Sequence, residues 1–204
     1  MLKKLLLSMT LLISIFAAPS ISFAQQVYTV QPGDSLWKIA VRYQVGLSEI
    51  IEANPQFKNP NLIYPGQKVT IPDYDAVKSI EHQVIQLTNQ ERAKYGLKPL
   101  AADWQVSRVA RYKSADMRDK NYFSHTSPTY GSPFDMMKSF GVSYRSAGEN
   151  IAAGQTTPQE VVRAWMNSEG HRKNILSPNY THIGVGYAKG GNMRHYWTQM
   201  FISK

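Results

Sequence analysis

The stretch that decides the fold of the N-terminal part runs from residue 28 to residue 72 and reads YTVQPGDSLWKIAVRYQVGLSEIIEANPQFKNPNLIYPGQKVTIP. Its apolar residues recur at helical spacing on both sides of a break at Val45-Gly46. Residues typical of strands stand near the two ends, at Val30 and in the run Lys68-Val69-Thr70-Ile71. The order strand, helix, helix, strand predicts a β-α-α-β unit of about 45 residues.

Local signals indicate where these helices begin and end, and the size of the unit indicates what its core must contain. Ser35 is placed as the N-cap of the first helix, and Asn54-Pro55 stops the second because the residue before a proline is disfavoured in the α region. A unit this small has a marginal core. We therefore predict that Trp37, Tyr43 and Ile50 are buried, so that loops must meet any ligand.

The same stretch resembles a LysM carbohydrate-binding module over its whole length. The motifs that carry the resemblance are Tyr28-Thr29-Val30, Gly33-Asp34-Ser35-Leu36-Trp37, Ile39-Ala40, Asn54-Pro55 and Ile63-Tyr64-Pro65-Gly66-Gln67. That family binds N-acetylglucosamine polymers, so the resemblance implies a peptidoglycan or chitin ligand that two facing loops bind modestly. The glycan-binding residues that it implies are Gly33, Asp34, Ser35 and Leu36 in one loop and Leu62, Ile63 and Tyr64 in the other.

The first 24 residues have the pattern of a secretory signal peptide. Lys3 and Lys4 precede an apolar run from Leu5 to Ala18, and Ser22-Phe23-Ala24 is a small-x-small cleavage site. The apolar run is short for a membrane span. We predict cleavage after Ala24, secretion, and no transmembrane segment in the mature chain.

Charge and cysteine content narrow the classes of partner. Loss of Lys3 and Lys4 would lower the formal charge of +9 by two, which leaves a basic mature chain. Export argues against nucleic acid as the partner, whereas anionic wall polymers or simply a soluble basic surface both fit the charge. The chain contains no cysteine, so its stability must come from the core and not from disulfides.

The organisation predicted for the whole chain is a signal peptide at 1–24, a module at 27–72, a linker at 73–79 and a second domain at 80–204. The helices of the second domain are predicted to begin at Ser79, near Trp104, at Ser132-Pro133 and at Thr157-Pro158. Two strand-like runs, 183–187 and 196–201, are joined across Gly190-Gly191-Asn192 as a hairpin. Helices followed by strands predict an α+β domain.

This second domain resembles the CAP (SCP) superfamily, the cysteine-rich secretory, antigen 5 and pathogenesis-related group, in a cysteine-free bacterial form. The motifs that carry the resemblance are 87–92 (LTNQER), 116–117 (DM), 122–125 (YFSH), 148–151 (GENI), 165–168 (WMNS), 170–172 (GHR), 174–176 (NIL), 183–186 (IGVG) and 196–199 (YWTQ). The resemblance implies a three-layer α-β-α sandwich with a cleft that gathers His125, Glu149 and His171. Glu169 lies near the place of a further cleft acid of animal members, but it stands in a predicted tight turn, Ser168-Glu169-Gly170-His171, so its equivalence stays open.

The cleft residues admit three interpretations. Two imidazoles and a carboxylate can hold zinc with an open coordination position, can act as an acid and base without metal, or can form structural hydrogen bonds across the cleft. The three positions are 24 and 22 residues apart along the chain, which is not the local spacing of a metalloprotease motif. For Asn89, Arg92, Asn150 and Asn174 we predict structural bridging of loop backbone.

Together these features predict a secreted protein of a cell wall or spore envelope. The module would bind peptidoglycan or another N-acetylglucosamine polymer, and the CAP domain would have a binding or scaffolding role. A metal-assisted hydrolase that acts on wall polymer or peptide is the alternative, with His125, Glu149 and His171 as candidate catalytic residues and candidate zinc ligands. Lipid binding by an apolar groove is a third and weaker interpretation.

Overall fold

A computed structural model describes residues 26–204, so the predicted signal peptide lies outside the described residues. The N-terminal module consists of β1 (Gln26–Thr29), α1 (Leu36–Tyr43), α2 (Leu47–Glu52) and β2 (Lys68–Ile71). The two strands pair antiparallel, with Thr29 opposite Lys68. The β-α-α-β order predicted from the sequence is confirmed, and Ser35 caps α1 by accepting a hydrogen bond from the backbone N–H of Lys38 at 3.2 Å.

The core of the module contains one of the three residues predicted for it, and Trp37 is not among its members. Ile50 is fully buried and Tyr43 packs against the core from its edge, but Trp37 is 61% exposed. Trp37 is exposed because of its position around the axis of α1. The buried stripe of α1 consists of Leu36, Ile39 and Ala40, and position 37 lies on the outer face of the helix.

The second domain contains five helices and four strands. The helices are α3 (Asp75–Lys94), α4 (Trp104–Asp119), α5 (Pro133–Ser139), α6 (Pro158–Asn167) and α7 (Glu169–Ile175), and the strands are β3 (Ala101–Ala102), β4 (Ser146–Ala153), β5 (His182–Lys189) and β6 (His195–Ser203). The strand order is β3-β5-β6-β4. The β5–β6 and β4–β6 pairs are antiparallel and the short β3–β5 pair is parallel.

Helices cover both faces of this sheet. On one face, residues of α3, α6 and α7 form a core with alternate residues of β5 and with Trp197 and Phe201 of β6. On the other face, α4 and α5 pack against Met200 and Ile202. The domain is therefore a three-layer α-β-α sandwich, as the resemblance implies.

The layer formed by α4 lies unusually close to the sheet, and two glycines make this possible. A Cβ atom at Gly184 would lie 2.2 Å from the backbone nitrogen of Ser107, and one at Gly186 would lie 2.0 Å from the backbone carbonyl carbon of Ala110. Both contacts are with helix backbone, which cannot rotate away. The Gly-Val-Gly run of β5 thus lets α4 rest directly on the strand.

Two local predictions for the second domain are corrected by the structure. Helix α3 begins at Asp75 and not at Ser79, so most of the predicted linker 73–79 is helical. The Asp73 carboxylate accepts a hydrogen bond from the backbone N–H of Asp75 at 2.9 Å, and this local bond supports the earlier start. The segment from Ser168 to His171, predicted as a turn, is the beginning of α7.

The short connection places the module directly against the second domain. The Arg108 guanidinium of α4 binds the Glu49 carboxylate of α2 through two hydrogen bonds of 2.6 and 2.8 Å, and it also donates to Ser48 Oγ at 2.7 Å. Burial alone would raise the pKa of Glu49, but the hydrogen bonds from Arg108 and Ser48 hold it below its ordinary value. Lys78 Nζ adds a hydrogen bond of 3.1 Å to the Tyr43 carbonyl. These contacts fix the orientation of the module on α4.

Candidate functional site

Two of the residues predicted for the cleft of the second domain, a histidine and a buried carboxylate, are in direct contact. His125 Nδ1 lies 2.7 Å from Glu149 Oε1. The Glu149 side chain, on β4, is 1% exposed, whereas the His125 side chain is 54% exposed. The pair therefore connects the interior of the sheet to solvent through one imidazole.

A hydrogen-bond network anchored on α4 positions the loop that carries His125. Asp116 accepts hydrogen bonds from Tyr122 Oη and Ser127 Oγ, each at 2.6 Å. Lys113, which is fully buried, donates from Nζ to the His125 carbonyl at 2.7 Å. One turn of α4 thus holds the backbone on both sides of His125, and this ordering limits the directions in which the imidazole can point.

The surroundings of the Glu149 carboxyl raise its pKa. Burial raises the pKa of Glu149, and the hydrogen bond to His125 and the charge of Lys113 oppose this rise only in part. Its second oxygen, Oε2, has no hydrogen-bond partner among residues 26–204. A buried carboxyl with a raised pKa beside an accessible imidazole is an arrangement found at acid–base sites, and it also occurs in structural networks.

His171 is the third residue of α7 and is half-buried. Burial lowers the pKa of His171, and the nearby charge of His125 lowers it further, so the two imidazoles interact electrostatically. The His171 carbonyl accepts a hydrogen bond from Asn150 Nδ2 at 3.1 Å, which ties α7 to β4. The structure thus joins His125 directly to Glu149, and it places His171 on a helix that is tied to the neighbouring residue of β4. Glu169 is exposed at the first residue of α7.

Zinc is the metal that the sequence suggests for this trio. Within residues 26–204, no group of three or more His, Cys, Asp or Glu side chains is close enough together to hold a metal ion. Glu149 Oε1 is also engaged by His125. In this arrangement the trio does not fit a three-ligand centre. Zinc binding therefore stays a prediction.

The predicted structural bridges are confirmed by their hydrogen bonds. Asn89 binds both backbone groups of Leu100, and Arg92 donates to the carbonyls of Lys98, Ile175 and Ser177. Asn174 Nδ2 donates to the Glu149 carbonyl at 3.2 Å and to Asn150 Oδ1 at 2.8 Å. These side chains satisfy backbone groups that strand and helix ladders leave open.

Two residues of the cleft, Lys113 and Asp116, were not predicted as site residues. A signal for Lys113 is present in the sequence. Val109, Lys113 and Met117 recur at every fourth position of a helix, so the lysine lies on an otherwise apolar stripe. A lysine at a core position is buried only with partners, and here the partners are a backbone carbonyl and Tyr122.

The two loops that the LysM resemblance implies lie at the same end of the β1–β2 pair. The Val30 N–H donates to the Gln67 carbonyl, and the Gly66 N–H donates to the Val30 carbonyl, each at 2.9 Å. Leu62 and Tyr64 are 52% and 56% exposed in the second loop, and Gly33 is exposed in the first. The two loops therefore carry an accessible apolar edge.

The other predicted glycan-binding side chains serve the fold of the module. The Asp34 carboxylate accepts hydrogen bonds from Tyr28 Oη at 2.6 Å and from the Gln31 N–H at 2.8 Å, and these bonds lower its pKa. Leu36 is buried, and Ser35 Oγ caps α1. Ile63 packs partly buried against the core of the module. These four residues can offer a glycan mainly their backbone groups, and the assignment of the glycan site stays a prediction.

Comparison with known proteins agrees with both domains. The cysteine-rich secretory protein (CAP) family matches residues 85–201, and the LysM domain family matches residues 28–72. The chain belongs to the CAP family and carries a LysM domain before its CAP domain. A LysM domain implies binding to N-acetylglucosamine polymers such as peptidoglycan. Among the described helices, none is long and apolar enough to cross a membrane.

Three similar proteins illustrate the match. The uncharacterized protein YkwD of Bacillus subtilis (strain 168) is 67% identical over 129 residues, which are 63% of this chain and 49% of YkwD. The spore coat assembly protein ExsA of Bacillus cereus is 45% identical over 47 residues, 23% of this chain and 7% of ExsA. The crystal structure of an extracellular protein containing a SCP domain from Bacillus anthracis str. Ames is similar with a TM-score of 0.57 and 41% identity, over 69% of this chain and 47% of that chain. This chain thus spans about half the length of these relatives or less.

Proposed function

We propose that the LysM domain holds this protein at the peptidoglycan of a cell wall or spore envelope, and that the CAP domain has a binding or scaffolding role there. The observation that carries the proposal is the exposed apolar edge at Leu62 and Tyr64, beside the loop at Gly33. Apolar side chains next to backbone donors suit the acetamido groups of the polymer. The signal peptide predicted at 1–24 supports export to that layer.

Two further observations support a position in the envelope. ExsA, whose LysM region is similar, is named a spore coat assembly protein, and the B. anthracis relative is described as extracellular. The basic charge of the chain adds attraction to anionic wall polymers. Because Arg108 and Glu49 join the domains, retention by LysM also sets the orientation of the CAP cleft at the wall.

The exposed ring of Tyr64 provides the test of retention. Tyr64→Ala in the chain 26–204 is expected to weaken binding to purified peptidoglycan about 5- to 30-fold, the effect of removing one aromatic contact residue worth about 1–2 kcal/mol. The backbone N–H of Tyr64 donates to the side-chain Oε1 of Gln67, and this bond does not involve the Tyr64 ring, so the loop should keep its shape. Cosedimentation with insoluble wall, over a range of wall concentrations, measures the effect.

Tyr95→Ala is the matched control, since Tyr95 is 59% exposed and lies at the end of α3 in the CAP domain. It should bind the wall as the parent does. Equal weakening by both substitutions would point to non-specific adhesion, and a parent chain that stays in the supernatant would contradict retention by LysM altogether.

The contact between His125 and Glu149 favours a second candidate function, hydrolysis of wall polymer or peptide. The His125 and Glu149 pair would act as the acid and base, and removal of either proton-transfer group is expected to lower turnover about 10²- to 10⁴-fold. The test compares the release of soluble fragments from purified wall by the parent and by Glu149→Gln, with Asp119→Asn, a change at an exposed acid outside the candidate site, as the control. Parallel reactions with added zinc and with a chelator separate the metal-assisted form from the metal-free form. Turnover that survives Glu149→Gln would exclude the pair as the catalytic group.

A further inference from the structure

A small cleft of about 150 Å³ lies between the two domains. Trp37, Val41 and Leu47 line it from the LysM domain, and Trp104, Gln105 and Phe140 line it from the CAP domain. The three LysM side chains are 61%, 38% and 37% exposed, respectively. Large apolar side chains that stay accessible beside a concave surface mark an interaction site more often than isolated surface residues do.

The LysM wall of this cleft begins one residue after the loop that is predicted to bind glycan. Trp37 follows Leu36 directly and lies in the first turn of α1, which Ser35 caps. Side chains of a helix lean towards its N-terminus, so Trp37 leans towards the loop that contains Gly33. Val41 lies one turn further along the same face and lines the cleft as well.

The opposite wall is ordered by contacts already made within the protein. The Arg108 guanidinium is bound by Glu49 and lies over the Phe140 ring, with Cζ 5.0 Å from the ring centroid. Arg108 therefore joins the CAP wall of the cleft to the helix that contains Leu47. A cleft whose two walls are fixed in this way needs little reorganisation when a ligand enters.

We propose that this cleft extends the glycan site, so that an N-acetylglucosamine polymer bound at the LysM loops continues over Trp37 and places a further sugar between the domains. This inference rests on the proposed function. A pyranose ring has apolar C–H faces and a polar rim, which match an indole face beside Gln105 and Arg108. The cleft is smaller than the roughly 300–1,000 Å³ of independent ligand pockets, as expected for one subsite of a longer site.

The length of the glycan is the variable that tests the extension. Trp37→Ala in the chain 26–204 is expected to weaken binding of chitooctaose about 5- to 30-fold and to leave binding of chitotetraose within about twofold, because only the longer oligomer reaches the cleft. Trp104→Ala, on the CAP wall, should produce the same selective loss. Isothermal titration calorimetry gives the affinities, and melting curves verify that the variants remain folded.

Controls separate this inference from the proposed function. Tyr95→Ala, which removes an equally exposed ring away from the cleft, should leave both affinities unchanged. If Trp37→Ala weakens both oligomers equally or neither, the extension is overturned while LysM binding stands. If the parent binds neither oligomer, both the extension and the proposed glycan binding by LysM are contradicted. If the parent dimerises in sedimentation velocity and Trp37→Ala is monomeric, the cleft accommodates a second copy of the chain and the extension is likewise overturned.

Discussion

Arg111→Met is expected to lower the free energy of unfolding by about 3–5 kcal/mol, the effect of leaving a buried charge without its partner. The Glu81 side chain is 3% exposed and receives two hydrogen bonds from Arg111, from Nε to Oε1 at 2.8 Å and from Nη2 to Oε2 at 2.7 Å. Glu81 also accepts the Tyr187 N–H at 3.2 Å, so it cannot leave the core without releasing β5. Urea unfolding of the chain 26–204 measures the loss.

The double variant Glu81→Gln/Arg111→Met is the matched control, because it removes both charges and keeps the size of the Glu81 side chain. It should recover most of the stability that the single variant loses, since a neutral amide can be buried at lower free energy than a carboxylate. Equal stability of the single and double variants would show that packing of the Arg111 side chain, and not the charge of Glu81, accounts for the loss.

The loss in Arg111→Met should also depend on pH. Burial raises the pKa of Glu81 above its ordinary value of 4.5, even though Arg111 opposes the rise. Relative to the unfolded state, the folded state therefore favours protonated Glu81. The stability that protonation of Glu81 contributes is present below its pKa in the unfolded state, and it is lost as the pH rises through its pKa in the folded state. Without Arg111 the rise becomes larger. The difference between variant and parent is thus expected to be smaller below pH 4.5 than at neutral pH, and an equal difference at both would contradict this assignment.

The elements that the sequence predicted correctly are those with local signals. Ser132 and Thr157 cap α5 and α6 by accepting hydrogen bonds from backbone N–H groups three residues on, and the glycine-rich turn joins β5 to β6 as a hairpin. Cap, turn and periodicity each act within a few residues, so they can be read without the rest of the fold.

Strand β4 was not predicted because its interior positions are polar. Glu149 and Asn150 are buried in the middle of the strand, where an alternating apolar pattern would be expected. Asn150 Nδ2 donates to Gln199 Oε1 at 3.0 Å, and Gln199 Nε2 donates to Thr88 Oγ1 at 2.8 Å. These side chains, from β4, β6 and α3, form a hydrogen-bonded polar network within the core. Because they satisfy one another, polar residues stand at buried positions of β4 and the alternating apolar pattern of a strand is missing from its sequence.

The candidate site shows the same difference between local signals, which can be read from the sequence, and long-range contacts, which cannot. His125, Glu149 and His171 were found through the family resemblance, whereas the distances between them along the chain gave no reason to join them. The contact between His125 and Glu149 depends on the loop after α4 and on β4, which long-range packing brings together. Trp37 was assigned to the core by its type, and only the phase of α1 places it outside.

Ile50→Ala is expected to unfold the LysM domain and to abolish its binding to peptidoglycan. Ile50 is fully buried in the core of the module, and truncation of such a residue lowers stability by about 2–5 kcal/mol. A unit of about 45 residues has a total stability of roughly 2–7 kcal/mol, so the loss is comparable with the whole. Cosedimentation with purified wall should fall to background, while the CAP domain keeps its own hydrophobic clusters and its unfolding transition.

Trp37→Ala is the informative comparison, because it removes a larger apolar side chain from the outer face of the neighbouring helix. Truncation at an exposed position is expected to change stability by no more than about 0.5 kcal/mol. The smaller residue should therefore have the larger effect on stability, which the size of the two side chains alone would not predict. If Trp37→Ala unfolds the module and Ile50→Ala does not, then α1 is rotated relative to this structure and Trp37 belongs to the core after all.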